Sequence, residues 1–379
     1  MKNGLKDMRR MLNNNPSVLN LFFTGKCNLN CKYCFVDRSD DGDSTLNEEL
    51  IRKAVDILLD GPGQKKMINF LGGEPLVEFS LIKRVYQYAT NKAKEKKISL
   101  SYKLATNGTL LDIDKIEFFK KNKINIQVSI DGDKNCHDAN RPLKESANSS
   151  FELIFKNINS IDVYQSGITS SLVFAPRDIK TLMQNIKFLH AKKFSVINFL
   201  PDLYATWSSD DLGHLVNFFK EFKKYYIGLF DVGGDVFKNN LLDSFVNEVN
   251  LDKARQCNKI NLNIDGDFYV CDKVLSLKKA ERSTYIVGSA EAGLDDEKRA
   301  DLLLELRNGF LKNSGLGCAR CHYAKYCFCP VGHYIYYQHN DGDSHWENYC
   351  FISKIYIKTF LSIKKELELN AKFIKTYRF

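Results

Sequence analysis

Strand-like and helix-like segments alternate between residues 18 and 201, and this alternation limits the folds open to the chain. Short apolar runs predict six strands, of which the second to fourth end in turns: 18–24, 67–75, 98–108, 124–132, 167–176 and 194–201. Apolar residues at helical spacing predict helices between them, at 45–60, 80–96, 112–122, near 150–165 and at 178–192. Such alternation builds a parallel sheet. The predicted fold is therefore α/β, with six units favouring a partial (β/α)6 barrel over a closed eight-unit barrel.

Three closely spaced cysteines follow the first predicted strand, in the sequence GKCNLNCKYCF. Functional residues of such barrels gather at the carboxyl ends of the strands, which is where Cys27, Cys31 and Cys34 stand. A structural zinc site takes four protein ligands, so three thiols alone leave a gap. A 4Fe–4S cluster held by three cysteines instead leaves one iron free to bind a small molecule.

The CxxxCxxC spacing, with Tyr33 directly before the last cysteine, resembles the signature of the radical S-adenosylmethionine (SAM) superfamily. The resemblance implies a 4Fe–4S cluster on Cys27, Cys31 and Cys34, with SAM chelated to the open iron and Tyr33 among the cofactor-binding residues. It also implies that an electron from a donor such as flavodoxin or ferredoxin cleaves SAM to a 5′-deoxyadenosyl radical. The alternative is a zinc knuckle completed by a distant histidine.

The motif GGEP, formed by Gly72, Gly73, Glu74 and Pro75, ends the second predicted strand. Glycines let the backbone approach a ligand, and a carboxylate can accept hydrogen bonds from an ammonium group. The resemblance implies that this motif receives the amino group of SAM.

Further turns after the third and fourth strands resemble the branch of the superfamily that carries a C-terminal SPASM domain. They are ATNGTLL (105–111) and SIDG (129–132), followed by HDANRP (137–142). The resemblance implies that Ser129 and Arg141 approach the SAM carboxylate and that Asn107 lies near SAM and the substrate. The alternative for Asn107 and for Asp131 is a turn residue, favoured by local side-chain hydrogen bonds.

Cysteines are dense again in the C-terminal part of the chain, which resembles a SPASM domain with auxiliary iron–sulfur clusters. The resemblance implies one 4Fe–4S cluster on Cys318, Cys321, Cys327 and Cys350. A second set consists of Cys257, Cys271 and Cys329, one thiol fewer than in sulfatase-maturing relatives. The sequence CFC also places one residue between Cys327 and Cys329, where the family usually has three. We therefore expect one or two auxiliary clusters, the alternative being a zinc site on the first four cysteines.

Asp272 directly follows Cys271, at a position where an aspartate serves as the catalytic base in several SPASM enzymes. The resemblance implies that Asp272 takes a proton from the substrate intermediate. The alternative is a residue that only supports the neighbouring cysteine.

Cysteine placement and composition predict five segments. They are an N-terminal extension (1–17), the radical SAM partial barrel (18–230), a linker (231–256), the SPASM domain (257–350) and a basic amphipathic helix (351–379). The net charge of +9 comes from dispersed lysines rather than a dense basic block, so we expect no nucleic-acid partner. Neither a membrane span nor a secretory signal is evident, which predicts a cytoplasmic protein whose eleven cysteines favour metal ligation.

The function expected from these features is oxidative maturation of a peptide or protein side chain by hydrogen abstraction. Crosslinking of a ribosomally synthesised precursor peptide, through a cyclophane or thioether bond, is the first expectation. Only 26 residues precede Cys27, so we expect leader recognition to use the C-terminal domain, the tail helix or another protein. The alternatives are an anaerobic sulfatase-maturing enzyme, which forms formylglycine, and a non-catalytic zinc-binding module.

Overall fold

The computed structural model describes residues 15–36, 42, 44–158, 167–232, 234–247, 257–313, 317–327, 329–339 and 343–377. Most of the predicted N-terminal extension, the end of the helix predicted near 150–165 and the second half of the predicted linker lie outside these residues.

Six parallel strands form the N-terminal part of one continuous sheet, which confirms the predicted α/β fold. They are Val18–Phe22 (β1), Lys65–Leu71 (β2), Ser99–Thr106 (β3), Ile124–Ser129 (β4), Thr169–Phe174 (β5) and Ile197–Pro201 (β6). Each pairs in parallel with the next along the chain. In the described sheet β6 is an edge strand, so the barrel is open, as predicted.

Helices cover one face of this sheet, and the strand residues that face them are apolar. The helices are Glu48–Asp60 (α1), Phe79–Glu95 (α2), Ile113–Lys121 (α3), Lys134–Asn140 (α4), Ser150–Ile158 (α5), Leu182–Ala191 (α6) and Ser209–Asp231 (α7). In β1 and β2 the buried row consists of Leu19, Leu21, Ile68 and Phe70. Because side chains alternate along a strand, the opposite face presents the other residues. That face is largely polar, with Asn69, Lys103, Gln127 and Ser171 on successive strands.

The C-terminal part of the chain continues the same sheet on the other side of β1. Its strands are Lys259–Leu262 (β7), Asp267–Tyr269 (β8), Ile286–Ser289 (β9) and Gly293–Leu294 (β10), and the ten strands run in the order β10-β9-β8-β7-β1-β2-β3-β4-β5-β6. β7 pairs with β1 in parallel, and the later strands pair antiparallel. The predicted barrel and the predicted SPASM domain therefore share one sheet.

Three asparagines in register join β2, β1 and β7. Asn20 Nδ2 donates to Asn261 Oδ1 (2.7 Å), and Asn69 Nδ2 donates to Asn20 Oδ1 (2.8 Å). Asn20 and Asn261 are 2% exposed, and Asn261 Nδ2 donates to the carbonyl of Tyr269 (3.0 Å). Buried amides must find partners, so this ladder specifies the register between the two parts of the sheet.

The remaining helices correct two predictions. They are Asn240–Val246 (α8), Lys279–Arg282 (α9), Asp296–Asn313 (α10), Pro330–His339 (α11), Asp343–Leu367 (α12) and Ala371–Tyr377 (α13). The predicted linker contains α8, and the predicted single helix at 351–379 is instead the end of α12 followed by α13. Buried side chains such as Ile352, Tyr356, Phe360 and Tyr377 explain the difference, because the tail packs into the core. None of the described helices combines the length and the apolar composition that crossing a membrane requires.

Candidate active site

A cavity of about 500 Å³ opens at the carboxyl ends of the parallel strands and brings the two cysteine-rich regions together. Cys27, Cys31 and Cys34 line one side, and residues of the C-terminal region line the other. The lining also includes several residues predicted to contact SAM, namely Tyr33, Gly73, Asn107, Ser129 and Arg141. The C-terminal contribution consists of Lys273, Cys329 and His333.

Backbone hydrogen bonds fasten the cysteine loop to the segment that carries Arg141. Asn30 N donates to the carbonyl of Pro142 (2.9 Å), and Lys32 N donates to the carbonyl of Asn140 (3.0 Å). Lys144 N donates back to the carbonyl of Asn28 (2.9 Å). The cysteine loop is therefore held against residues 140–144 by its main chain, and these backbone hydrogen bonds position the cysteines.

The GGEP turn fastens the other side of the cysteine loop. Gly73 N donates to the carbonyl of Thr24 (2.7 Å), and Glu74 N donates to that of Lys26 (2.8 Å). A Cβ on Gly73 would lie 2.3 Å from the Lys26 oxygen, and Gly72 has φ +150°. Both positions therefore require glycine, because any side chain would push the turn away from the loop.

Glu74 is fully buried behind this turn, and its carboxylate is occupied by the protein itself. Oε1 accepts from Thr106 Oγ1 (2.7 Å) and Leu76 N (3.0 Å), and Oε2 accepts from Asn107 N (2.7 Å). Burial raises the pKa of Glu74 to about 7, against the opposing effect of these hydrogen bonds. Pro75 begins the 3₁₀ turn Pro75–Glu78, which Glu74 caps. In this structure Gly73 and Asn107, rather than Glu74, face the cavity.

Asn107 connects the third strand to the cysteine loop. Its Nδ2 donates to Asn28 Oδ1 (2.8 Å) and lies 3.9 Å from Cys27 Sγ. Its Oδ1 accepts from the backbone N–H (3.0 Å) and the hydroxyl (2.7 Å) of Thr109. The bond from Thr109 N to Asn107 Oδ1 is the local bond of a turn residue, and the contacts with Asn28 and Cys27 come in addition and fix Nδ2 toward the cysteine.

Arg141 is held by a buried carboxylate that lies outside the predicted site. Asp131, fully buried, accepts Arg141 Nε at Oδ2 (3.0 Å) and Nη2 at Oδ1 (3.1 Å). Tyr33 also donates to Asp131 Oδ2, and the guanidinium lies 5.0 Å from the centre of the Tyr33 ring. Arg141 Nη1 lies 4.0 Å from Cys31 Sγ. Burial opposes the charge on Arg141, but Asp131 more than compensates and raises its pKa.

The three cysteines of the second predicted set come together below the other wall of the cavity. The thiols of Cys271 and Cys329 share a hydrogen bond, which together with burial raises the pKa of Cys271. Burial, and after it the neighbouring Cys329, raises the pKa of Cys257. Lys259 lies beside all three: burial lowers its pKa, but Asp272 and the cysteines outweigh burial and raise it. The structure therefore places Cys257, Cys271 and Cys329 together beside the ammonium group of Lys259.

Three cysteines of the other predicted set lie near a different lysine. Lys354 is hydrogen-bonded to Cys350, which raises the lysine pKa, and the more distant Cys321 and Cys318 raise it further. Cys327 Sγ is 3.7 Å from the carbonyl of Tyr323. Cys318–Arg320 and Ala324–Tyr326 are short 3₁₀ turns that carry or flank these cysteines.

Asp272 lies next to the cavity wall rather than in it. It accepts a hydrogen bond from Cys271 Sγ (3.7 Å). Burial raises its pKa, but Lys273 and Lys259 prevail and lower it below the usual value. Its neighbour Lys273 lines the cavity and lies 3.8 Å from the centre of the Phe35 ring, one residue beyond Cys34.

The donor chemistry of the first site fits a thiolate-bound cluster. Three cysteines face one cavity, N–H donors of Asn107 and Arg141 point at two of the sulfurs, and Gly73 leaves room beside them. In the described residues no group of three or more His, Cys, Asp or Glu side chains converges on one point where a single metal ion would sit.

Three residues of the site were not among the predicted site residues. The SIDG motif leaves Asp131 open between a functional residue and a turn residue, and it gives no sign of the contacts with Arg141 and with the distant Tyr33. Lys273 and His333 carry no motif, although their places beside Cys271 and four residues after Cys329 are visible in the sequence.

Comparison with known proteins assigns the family. Residues 21–198 match the Radical SAM superfamily. An uncharacterized protein of Methanocaldococcus jannaschii is 30% identical over 201 residues, covering 53% of this chain and 67% of that protein. A cysteine-type anaerobic sulfatase-maturating enzyme of Clostridium novyi is 27% identical over 48% of this chain and 49% of its own length. The radical SAM cyclopropyl synthase TigE of Paramaledivibacter caminithermalis is 25% identical over 52% of this chain and 44% of its own length.

The matches to these two named enzymes cover about half of each. A solved structure, anSMEcpe with bound AdoMet and Cp18Cys peptide, has a TM-score of 0.71 and 17% identity, covering 92% of this chain and 99% of that chain. That likeness shows the fold. With the open parallel sheet and the three-cysteine loop at its carboxyl edge, these matches show that the chain belongs to the radical SAM superfamily of enzymes.

Proposed function

We propose that this enzyme abstracts a hydrogen from a peptide side chain and oxidatively matures the peptide by crosslinking, through a cyclophane or thioether bond. The observation that carries the proposal is the shared cavity, walled by Cys27, Cys31 and Cys34 on one side and by Lys273, Cys329 and His333 on the other. Substrate held there would meet both cysteine-rich regions at once.

Residues of the first wall would hold the 4Fe–4S cluster and SAM. Cys27, Cys31 and Cys34 would ligate the cluster, and the N–H groups of Asn107 and Arg141 would stabilise the sulfur charge. When bound, the cluster and SAM supply abstraction of one hydrogen atom, and an auxiliary cluster accepts the electron left when a second hydrogen leaves as a proton. Ser129 and Arg141 face the cavity, in keeping with a role at the SAM carboxylate.

The size of the cavity favours a side chain as the part of the substrate that enters. A volume of about 500 Å³ is in the range for one small ligand. With SAM bound, the remaining space suits a side chain, while the rest of a peptide would lie along the polar face of the open sheet. The cyclopropyl synthase TigE and the peptide-bound anSMEcpe structure support a substrate of this class. The partners we propose are a precursor peptide and an electron donor such as flavodoxin or ferredoxin.

Residues of the second wall would hold the auxiliary clusters and the base. We assign Cys318, Cys321, Cys327 and Cys350 to one cluster, and Cys257, Cys271 and Cys329 to another. Asp272 is the proposed base, since Lys273 and Lys259 favour its ionised form. It would reach the substrate from beside Cys271.

Sulfatase maturation is the second candidate function. A sulfatase-maturating relative and the fold likeness to anSMEcpe favour it. The cluster set with only three cysteines argues against it, because the sulfatase-maturing relatives supply four. A non-catalytic zinc module is disfavoured by membership of the superfamily.

Product mass tests the proposal. The anaerobically reconstituted enzyme is incubated with SAM, dithionite and peptides encoded by short reading frames beside the gene. Crosslinking predicts a peptide that has lost two hydrogens and retained all its sulfur, with one 5′-deoxyadenosine formed per bond. A cysteine-containing sulfatase peptide serves as the comparison substrate, and its conversion to formylglycine with loss of sulfur would contradict crosslinking. A colourless, zinc-loaded protein that leaves SAM intact would contradict both enzyme functions.

A further inference from the structure

The set formed by Cys257, Cys271 and Cys329 lacks one ligand of a complete cluster. A 4Fe–4S cluster bound only by the protein takes four ligands, and the described cysteines near this site number three. Of the remaining cysteines of the C-terminal region, Cys318, Cys321 and Cys350 lie near Lys354 instead, and Cys327 belongs to the same proposed ligand set. A fourth ligand must then come from a different type of side chain, or the iron must stay open.

His333 is the side chain best placed to complete the set. It lies on α11, four residues after Cys329, and its backbone N–H donates to the Cys329 carbonyl (3.3 Å). Cys329 directly precedes the helix, so this hydrogen bond closes the first helical turn between the two residues. Both side chains line the principal cavity. A Cβ on Gly332, directly before His333, would lie 3.2 Å from Cys329 Sγ, so this turn of the helix packs against the sulfur.

The imidazole of His333 is buried with an unused nitrogen. The residue is 5% exposed, and its Nδ1 has no hydrogen-bond partner among the described residues. Its ring contacts are to Tyr349, at 4.7 Å between centroids, and Tyr204, at 5.5 Å. Buried polar atoms are nearly always paired, so an orphaned nitrogen beside a metal-binding set calls for a ligand.

The chemistry of the imidazole suits metal binding. A neutral imidazole offers a nitrogen lone pair, and histidine replaces cysteine as a ligand in some iron–sulfur centres.

Two competing side chains are less suited to the position. Asp272 does not line the cavity and faces the charges of Lys273 and Lys259. Tyr204 Oη is also buried without a described partner, but a phenol has to lose a proton with an ordinary pKa of about 10 before it binds iron, whereas an imidazole has a free lone pair above about pH 6.5. A tyrosine held in its neutral form is a poor iron ligand.

We propose that His333 is the fourth protein ligand of an iron–sulfur cluster bound by Cys257, Cys271 and Cys329. The inference rests on the proposed auxiliary clusters but not on the identity of the substrate. Coordination needs no proton transfer and no co-reactant, since the neutral ring nitrogen donates its lone pair directly to iron.

Pulsed electron paramagnetic resonance of the reduced C-terminal clusters tests the assignment. The variant Cys27→Ala, Cys31→Ala, Cys34→Ala removes the SAM-binding cluster, so only the C-terminal clusters contribute to the spectrum. We expect a nitrogen hyperfine coupling from a directly bound imidazole, which changes to the pattern of ¹⁵N when histidine is labelled. His333→Ala in the same background removes the coupling. His339→Ala is the matched control on the same helix, because His339 Nε2 is hydrogen-bonded to Tyr285 (3.0 Å), and it leaves the coupling intact.

A second variant keeps the test decisive if His333→Ala loses iron. His333→Cys supplies a thiolate, so the ligand role predicts normal iron content without nitrogen coupling. Iron that stays low in His333→Cys would assign His333 to packing and overturn the inference. Absence of coupling in the parent variant at full iron content, or coupling unchanged in His333→Ala, would overturn it as well while leaving peptide maturation intact. A C-terminal region that binds zinc instead of iron would overturn both proposals.

Discussion

Backbone hydrogen bonds fasten the loop of Cys27, Cys31 and Cys34 on two sides, whereas short helical turns carry or flank Cys318, Cys321 and Cys327. Beside the first loop the buried charges of Asp131 and Arg141 form an ion pair. Two residues that line the cavity beside the C-terminal cysteines have a buried polar atom without a described partner, His333 at Nδ1 and Tyr204 at Oη.

This contrast indicates a division in what shapes each site. The protein alone fixes the first site, so a cluster and SAM would enter a frame that already exists. At the second site, His333 Nδ1 and Tyr204 Oη would gain partners only from what binds there. We therefore expect the C-terminal cysteine region to become fully ordered only when metal is bound. The predictions below separate the two sites, from the largest expected effect to the smallest.

Removing the first three thiols should separate the two regions completely. In the variant Cys27→Ala, Cys31→Ala, Cys34→Ala, 5′-deoxyadenosine formation should fall to background, because no other three-cysteine loop lies beside the GGEP turn. Iron bound by the C-terminal cysteines should remain, as measured by iron and sulfide content. Retained SAM cleavage in this variant would show that the cluster assignment is wrong.

Breaking the ion pair at the first site should cost stability as well as activity. Asp131→Ala leaves the buried Arg141 without its partner, and loss of one partner of a buried pair costs about 3–5 kcal/mol. Urea denaturation of the apoprotein under reducing conditions measures this. Glu221→Ala is the control, since it breaks an exposed pair with Lys187 (3.0 Å) and should leave the midpoint almost unchanged. Equal effects of the two substitutions would contradict a preformed first site.

Asp272→Asn should uncouple the two walls of the cavity. SAM cleavage and deuterium transfer from labelled peptide to 5′-deoxyadenosine should continue, because both depend on the first wall. Product should fall by about 100-fold, the usual contribution of a positioned base. Asp267→Asn, five residues earlier on β8 and outside the cavity lining, is the control. Undiminished product would assign the base elsewhere, and loss of both signals would indicate damage to the adjacent cluster.

The smallest effect concerns the buried carboxyl behind the GGEP turn. Burial raises the pKa of Glu74 to about 7 from 4.5, so the native state keeps a proton that the unfolded chain has released. Stability should therefore fall as the pH rises, by about 1 kcal/mol between roughly pH 6 and pH 8. The difference in urea midpoint between wild type and Glu74→Gln across this range isolates the effect. Parallel pH profiles of the two proteins would show that Glu74 stays ionised.

The parallel strands could be predicted from sequence because each is long enough to show its own pattern. β1 to β6 have five to eight residues, and the helices between them bury apolar residues at helical spacing. β8 and β10 have only three and two residues, too few for any pattern. The pairing of β7 with β1 also joins segments that nothing in the local sequence connects.

Some residues of the candidate site could likewise be predicted from the sequence, and others could not. The motifs identified the cavity residues whose types and spacing carry chemistry, such as Cys27, Gly73 and Arg141. The roles of Asp131 and His333 could not be predicted, because Asp131 contacts Tyr33, 98 residues away, and His333 has a ring nitrogen without a described partner, and neither feature leaves a local pattern.

The asparagine ladder across β2, β1 and β7 has a consequence for how the protein is made. Asn20 and Asn261 are 241 residues apart, so a ribosome adding 5–20 residues per second needs roughly 10–50 s to deliver the second after the first. Throughout that interval one edge of β1 has no native neighbour and offers its main chain to any passing strand. A strand that places an apolar side chain opposite Asn20 would leave the Asn20 amide buried and unsatisfied, which costs free energy. The single side chain of Asn20 therefore disfavours non-native pairing with β1 until β7 has been synthesised.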